Sequence, residues 1–256
     1  MGRVIFIGAG PGAADLITLR GARLLASADV VLYDALTDPA LRAHAPHANW
    51  IDVGKRGFCD STGQAAINAL LVRHARSAGV VVRLKGGDPS VFGRLEEELL
   101  ALADAGIDCE VVPGVTAAIA AAAASQRPLT RRGSGRSVSL TTAMTRDGRL
   151  GASRRADTEV FYMAGRQLAA LARQLVSAGW PADAAVSVVS CAGWPHQLHS
   201  DHSVATLGAA AMLHAGRPTV VTVGAGAAAL PRTAAAETLP ADAALSLPAQ
   251  TAAAKP

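Results

Sequence analysis

The stretch VVVRLKGGDPSVFGR, residues 80–94, combines a run of β-branched residues with a loop that opens on two adjacent glycines. Such a run, bounded by glycine and proline, is typical of a buried strand. Glycine lets the backbone approach a ligand closely and adopt conformations that other residues avoid. Adjacent glycines followed by Asp88 and Pro89 are costly to keep merely as a turn, so we interpret residues 86–91 as part of a binding site.

A similar strand and glycine loop stand near the start of the chain. Residues 4–7 form a short apolar run that leads into the sequence GAGPGA, residues 8–13. In a parallel sheet, the loops that follow the carboxyl ends of the strands meet at one crevice. The loops at 8–12 and 86–91 are therefore predicted to face the same ligand.

Around these two loops, short strands alternate with helices, a pattern typical of an α/β fold. The predicted strands are residues 4–7, 30–33, 50–53, 80–84 and 110–112, then 137–141, 159–163, 185–189 and 219–223. A helix over 168–178 is expected to end at Gly179 and Pro181. We predict a five-stranded parallel sheet within residues 1–113, a second α/β lobe over 114–231, and a disordered tail over 232–256, where alanine, proline and threonine dominate.

Composition narrows the function classes. The net charge of +4 favours an anionic partner, but aromatic residues are only 4% of the chain, so nucleic acid is not expected. No apolar run approaches the roughly 18 residues of a membrane span, and no cationic leader precedes the first strand, so we expect a cytoplasmic protein. No metal site is expected, because neither the three cysteines nor the histidines have standard zinc spacing: Cys59, Cys109, Cys191, His196, His199 and His202.

The first glycine loop also fits a dinucleotide fingerprint. Residues 8–13 read as G-x-G-x-x-A, and Asp34 at the end of the second strand stands where a ribose-binding acid would. A lone fingerprint carries a known risk of false positives. A nucleotide-dependent oxidoreductase is therefore a competing hypothesis, although a dinucleotide fold does not require the second glycine loop.

Six motifs together resemble the uroporphyrinogen-III C-methyltransferases of the tetrapyrrole methylase family, in the family's order and at nearly its spacing. They are GAGPG (8–12), YD (33–34), VGKR (53–56), Gln64 with Ile67-Asn68, RLKGGDP (83–89) and VVPGVTAA (111–118). The likeness covers residues 3–225 and is strongest before residue 133. It implies the two-lobed tetrapyrrole methylase fold with a mixed second sheet, a homodimer, and methylation of uroporphyrinogen III at ring positions C2 and C7 to precorrin-2, for sirohaem or cobalamin synthesis.

The resemblance further implies that S-adenosylmethionine binds in a cleft between the lobes, with no metal. The implied contacts are Pro11, Gly86, Gly87, Asp88, Val91, Thr116, Ala117, Met163 and Ala192. Asp34 resembles the family's proton acceptor and Lys55 its proton donor, although a lysine there also suits a substrate carboxylate. The alternatives are a core methionine for Met163 and a helix or turn cap for Asp34.

Several departures from the family fall on the substrate side. Ala35 stands where an arginine is usual, Arg131 replaces a histidine, and Ala143 replaces a glycine. They leave open a sister methyltransferase acting on a later precorrin, or a binding protein that keeps the cofactor cleft without the chemistry. The arginines that are candidates for substrate carboxylates are Arg56, Arg94, Arg131, Arg132 and Arg136.

Overall fold

A computed structural model describes residues 2–54, 63–143 and 150–230 of the chain. Within these ranges the protein consists of two α/β lobes, each built on a five-stranded sheet. The predicted tail over 232–256 and the predicted proton donor Lys55 lie outside the described residues. The division into domains at residues 113 and 231 stays a prediction.

The first lobe contains the predicted parallel sheet. Its elements are β1 (Arg3–Gly8), α1 (Leu19–Leu25), β2 (Val30–Tyr33), β3 (Asn49–Asp52), α2 (Gln64–Ser77), β4 (Val80–Lys85), α3 (Leu95–Asp104) and β5 (Cys109–Val112). The strand order is β3-β2-β4-β1-β5, and every neighbouring pair is parallel. The five-stranded parallel sheet is therefore confirmed, with each strand boundary within one residue of the prediction.

Helices cover both faces of this sheet, which explains the continuous apolar runs of its central strands. On one face, Phe6 of β1 packs with Leu71 of α2 and Leu102 of α3. On the other face, Ile5 of β1 packs with Leu25 of α1. Because successive side chains of a strand point to opposite faces, residues 4–7 of β1 must all be apolar to fill both cores.

The second lobe has a mixed sheet. Its elements are α4 (Ala117–Ser125), β6 (Val138–Thr142), β7 (Thr158–Tyr162), α5 (Leu168–Ser177), β8 (Ala185–Ser190), β9 (Leu198–Ser203), α6 (Ala210–Leu213) and β10 (Thr219–Gly224). The order is β6-β7-β10-β8-β9, in which β6 runs parallel to β7 and the other pairs are antiparallel. The mixed sheet is thus confirmed.

Strand β9 was not predicted from the sequence. Its residues LHSDHS are almost all polar, and it lies at the sheet edge, where it pairs only with β8. Two of the three histidines considered as zinc ligands, His199 and His202, belong to this strand. His199 Nε2 lies 3.0 Å from Ser187 Oγ, and His202 Nε2 lies 2.8 Å from Ser200 Oγ. The described part of the chain contains no group of three or more histidine, cysteine or acidic side chains that could hold a metal.

The strand order bears on the dinucleotide hypothesis. In the usual dinucleotide-binding sheet the first two strands are neighbours, so that the acid ending β2 lies beside the glycine loop after β1. In this protein β4 separates β2 from β1. The topology therefore argues against a ribose-binding role for Asp34.

Among the helices of the described ranges, none is both long and apolar enough to cross a membrane.

Candidate active site between the two lobes

Three loops that follow strands of the first sheet pack against one another so closely that no side chain fits between their backbones. These are the loops after β1, β4 and β5, and they touch at Gly8, Gly87 and Gly114. A Cβ atom on Gly114 would lie 2.3 Å from the Gly87 carbonyl oxygen and 2.7 Å from the Gly8 Cα. Only glycine permits so close an approach.

Hydrogen bonds join the same loops. Gly87 N donates to the Gly10 carbonyl over 2.7 Å, and Gly10 N donates to the Gly87 carbonyl over 3.3 Å. Asp88 Oδ2 accepts from Gly114 N at 2.9 Å, while its Oδ1 accepts from Ser90 N at 2.8 Å. The Asp88 carboxylate therefore ties the second glycine loop to the segment that leads into α4. The two glycine loops do lie together, as the parallel sheet predicts.

A cavity of about 790 Å³ lies between these loops and the second lobe. Its wall includes every residue that the sequence predicts as a cofactor contact: Pro11, Gly86, Gly87, Asp88, Val91, Thr116, Ala117, Met163 and Ala192. The structure thus brings residues from both lobes to one surface. Their contact with a cofactor stays a prediction.

Met163 is not a core methionine. It follows the last residue of β7, is 54% exposed, and has a positive φ of 59°, which non-glycine residues rarely adopt. Cys191, which follows β8 and precedes Ala192, has a similar φ of 52°. Backbone strain of this kind persists where the surrounding structure fixes it, and it is frequent at functional sites. Both residues lie on the cavity wall.

Tyr162, at the end of β7, is bonded to the start of α4 within the second lobe, a role that the sequence did not reveal. Its hydroxyl lies 2.7 Å from Thr116 Oγ1 and accepts from Ala118 N at 3.2 Å. The Phe92 ring, from the loop after β4, packs edge-on against Tyr162 with the ring centroids 5.0 Å apart. A second contact between the lobes joins Ala13 N to the Gly193 carbonyl over 2.8 Å. The ring contact of Phe92 with Tyr162 and the bond of Ala13 to Gly193 therefore join the two lobes that border the cavity.

Asp34 lies at the margin of the cavity rather than on its wall. It directly follows β2, two residues before Leu36, which does line the cavity. Asp34 Oδ1 accepts a hydrogen bond from Arg83 Nη2 at 2.6 Å, and the Asp34 side chain is 31% exposed. The turn that follows is capped by the Asp34 main-chain carbonyl, which accepts from Thr37 Oγ1. The alternative that the Asp34 carboxylate caps a turn is therefore wrong.

Arg83 belongs to a buried ionic network that the sequence did not indicate. Its Nε donates to Glu98 Oε1 at 2.9 Å, and Lys85 Nζ donates to Glu98 Oε2 at 2.6 Å. Burial alone would lower the pKa of Arg83, but the charges of Asp34 and Glu98 outweigh it and raise that pKa. Burial, followed by repulsion from Arg83, lowers the pKa of the Lys85 ammonium group despite its bond to Glu98.

Of the arginines predicted to bind substrate, the four that the structure describes do not line the cavity. Arg94 makes a two-point ion pair with Glu97 at 2.8 and 2.7 Å, and Arg131 donates to the Ala228 carbonyl. Arg132 and Arg136 are exposed, and Arg56 lies outside the described residues. Among the described residues, the arginines on the cavity wall are Arg166 and Arg217, neither of which the sequence singled out.

Comparison with known proteins shows which proteins this chain is similar to. A family model described as Tetrapyrrole (Corrin/Porphyrin) Methylases matches residues 3–211. The uroporphyrinogen-III C-methyltransferase of Pseudomonas aeruginosa is 45% identical over 192 residues, which are 73% of this chain and 78% of that protein. The enzyme of the same name from Paracoccus denitrificans is 44% identical over 209 residues, covering 78% of this chain and 73% of the relative.

Solved structures agree. The uroporphyrin-III C-methyltransferase of Thermus thermophilus, crystallised with S-adenyl homocysteine, matches with a TM-score of 0.77 and 36% identity, over 87% of this chain and 97% of that chain. A cobalt precorrin-4 methyltransferase matches with a TM-score of 0.78 and 29% identity, over 89% of this chain and 96% of that chain. The family model and the relatives each cover most of the chain, which therefore belongs to the tetrapyrrole (corrin/porphyrin) methylases.

Proposed function

We propose that this protein transfers methyl groups from S-adenosylmethionine to ring positions C2 and C7 of uroporphyrinogen III, which gives precorrin-2 for sirohaem or cobalamin synthesis. One observation carries the proposal: residues from both lobes that were predicted to contact the cofactor all line a single cavity. The relatives named uroporphyrinogen-III C-methyltransferase support the choice of substrate. The related structure crystallised with S-adenyl homocysteine supports the choice of methyl donor.

The residues of the cavity fit S-adenosylmethionine. A volume of about 790 Å³ falls within the range of about 300–1,000 Å³ that is usual for small-molecule sites. The glycines of the second loop expose backbone to the cavity, and Thr116 brings the start of α4 to its wall. Free N–H groups at a helix start favour negative charge, which suits the carboxylate of the methionine part. We infer that Gly86, Gly87, Thr116, Met163 and Ala192 hold this molecule.

Bound S-adenosylmethionine supplies a methyl group that is already activated by its sulfonium. The protein's own work is therefore to align the acceptor carbon and to remove the proton that leaves it after methylation. We assign proton removal to Asp34, because its side chain is 31% exposed and the residue stands two positions before Leu36 of the cavity wall. Lys55 is assigned either proton donation or the binding of a substrate carboxylate. Arg166 and Arg217, on the wall, are further cations for an anionic tetrapyrrole.

A methyltransferase for a later precorrin is the second candidate, because the chain departs from the family on the substrate side at Ala35, Arg131 and Ala143. Two of these departures have structural explanations away from the cavity. Ala143 is fully buried in the core of the second lobe, and Arg131 bonds to the Ala228 carbonyl. Ala35 alone is exposed beside Asp34 and could alter the substrate. Because two of the three departures lie away from the cavity, uroporphyrinogen III is favoured as the substrate over a later precorrin.

The test compares substrates under one set of conditions. Purified protein is mixed with labelled S-adenosylmethionine and either uroporphyrinogen III or precorrin-2, and label incorporation is followed with time. We expect fast incorporation into uroporphyrinogen III. Label that enters only the later precorrin would select the second candidate, and label in neither, with retained S-adenosylhomocysteine binding, would indicate a binding protein. A cytoplasmic location, a homodimer and the absence of a metal stay predictions of the sequence.

A further inference from the structure

We propose that Arg83 is a positioning residue for methyl transfer, which fixes the Asp34 carboxylate at the margin of the cavity, and that Glu98 fixes Arg83 in turn. The inference rests on the proposed function, because Asp34 needs a fixed position only if it takes part in the reaction. Arg83 itself does not line the cavity and is 3% exposed, so it acts through Asp34 rather than on a substrate.

The Arg83 guanidinium is held at all three of its nitrogens. Nη2 donates to Asp34 at 2.6 Å and Nε donates to Glu98 at 2.9 Å. Nη1 lies 3.4 Å from the Leu32 carbonyl and 3.3 Å from the Leu84 carbonyl. These carbonyls belong to the adjacent strands β2 and β4, so the planar group is locked to the sheet that carries Asp34. A guanidinium suits this task because its donors form a rigid fork.

The charges of the network balance only when Asp34 is included. Arg83 and Lys85 bring two positive charges, and Glu98, which is fully buried, brings one negative charge that it shares between them. Buried charges are costly unless each is paired and hydrogen-bonded. The Asp34 carboxylate supplies the second negative charge, and it is the member of the network that reaches solvent.

This arrangement leaves one oxygen of Asp34 for chemistry. Oδ1 is bound to Arg83, whereas Oδ2 accepts no hydrogen bond from any residue in the described ranges. Because Oδ1 is pinned, the direction in which Oδ2 points is fixed as well. A carboxylate that must take a proton from a bound ring benefits from such fixation, since an error of about 1 Å in position can cost about 100-fold in rate.

The test is a double-mutant cycle with R83K and D34N. Lysine keeps the positive charge of Arg83 but cannot reach both carboxylates and the two carbonyls at once. If Arg83 acts through Asp34, R83K lowers the single-turnover rate of methyl transfer by about 10- to 100-fold in the wild-type background. In the D34N background it changes that rate by less than about threefold, since coupled residues are not additive.

Lys85→Met is the matched control. It removes one charge from the same buried network at the end away from Asp34. We expect a lower melting temperature but a single-turnover rate within about threefold of wild type, because the Arg83–Asp34 bond is untouched. The affinity for S-adenosylhomocysteine, measured by calorimetry, should be unchanged in R83K. A rate loss in K85M as large as that in R83K would overturn the proposal, because general damage to the network would then explain both.

Additive rate losses in R83K and D34N would also overturn it, as would a wild-type rate in R83K. If R83K melts below the assay temperature, D34E provides the second test. It keeps the carboxylate and displaces it by one methylene from Arg83, so positioning predicts at least a tenfold rate loss, and a wild-type rate in D34E contradicts it. The wild-type protein is assayed first, so that failure to methylate uroporphyrinogen III counts against the proposed function alone.

Discussion

Replacing Gly114 by alanine should damage the cofactor site more than the fold, and the structure gives the size of the perturbation. The new Cβ would lie 2.3 Å from the Gly87 carbonyl oxygen, whereas ordinary contact begins near 3.4 Å. The two loops must therefore separate by about 1.1 Å, the difference between these distances. The clash is with backbone on both sides, so no side chain can rotate to relieve it.

We expect two measurable effects. Overpacking of this kind destabilises proteins by about 1–3 kcal/mol, which thermal or urea unfolding will show. The shift also pulls Gly114 N away from Asp88 Oδ2, which it now meets at 2.9 Å, and so loosens the second glycine loop. The affinity for S-adenosylhomocysteine, measured by calorimetry, should fall at least about tenfold, which corresponds to about 1.4 kcal/mol.

Gly106→Ala is the matched control. Gly106 has a positive φ of 66°, but a Cβ there would meet nothing within 4 Å. The substitution therefore adds backbone strain of about 1–2 kcal/mol without a clash, at a residue that does not line the cavity. Ligand affinity in folded G106A should equal that of wild type. A folded G114A protein with wild-type affinity, or an equal loss of affinity in both variants, would refute this account of the site.

Three further predictions follow from the same geometry. Gly87→Leu places a side chain at a backbone φ of 71° on the cavity wall, so calorimetry should detect no S-adenosylhomocysteine binding to the folded variant, and retained binding would contradict it. Tyr162→Phe loses the bonds to Thr116 and Ala118 and should lower the free energy of unfolding by about 1 kcal/mol in urea; an unchanged value would show that those bonds contribute nothing. Burial, then repulsion from His202, lowers the pKa of His214, so unfolding takes up a proton and the protein loses stability as pH falls below about 6.5. The urea midpoint should therefore fall more steeply from pH 7 to pH 5 in wild type than in H214Q. Equal slopes for the two proteins would show that His214 does not cause the loss of stability.

The strands and glycine loops of the first lobe could be predicted from the sequence, because each has a local residue pattern that is compatible with a single structure. Residues 4–7 of β1 and 80–82 of β4 are all apolar because helices cover both faces of the sheet, and that requirement is visible in the residues themselves. The glycine loops were equally clear, since Gly87 lies in a left-handed conformation and packs backbone against backbone. The cofactor residues of the second lobe came from the family resemblance and not from any local pattern.

Long-range pairing explains what was missed. β9 has no apolar alternation because it is a sheet edge, held by backbone bonds to β8 and by serine–histidine contacts. Arg83 and Glu98 look like ordinary charged residues, and only the packing of α3 on β4 makes them a buried pair. Tyr162 and Thr116 are 46 positions apart in sequence, and their contact depends on how the second sheet meets α4. None of these three contacts can be recognised from the residues within a short segment of the sequence.

The measurement that tests the central claim most directly is the structure of the reaction product. The protein is incubated with uroporphyrinogen III and S-adenosylmethionine whose methyl group carries carbon-13, and the product is examined by mass spectrometry and carbon-13 NMR. The account predicts a product that has gained two labelled methyl groups, bonded to ring carbons C2 and C7. Unmodified uroporphyrinogen III, after incubation with folded protein that binds S-adenosylhomocysteine, would contradict it, as would methyl groups on other ring carbons.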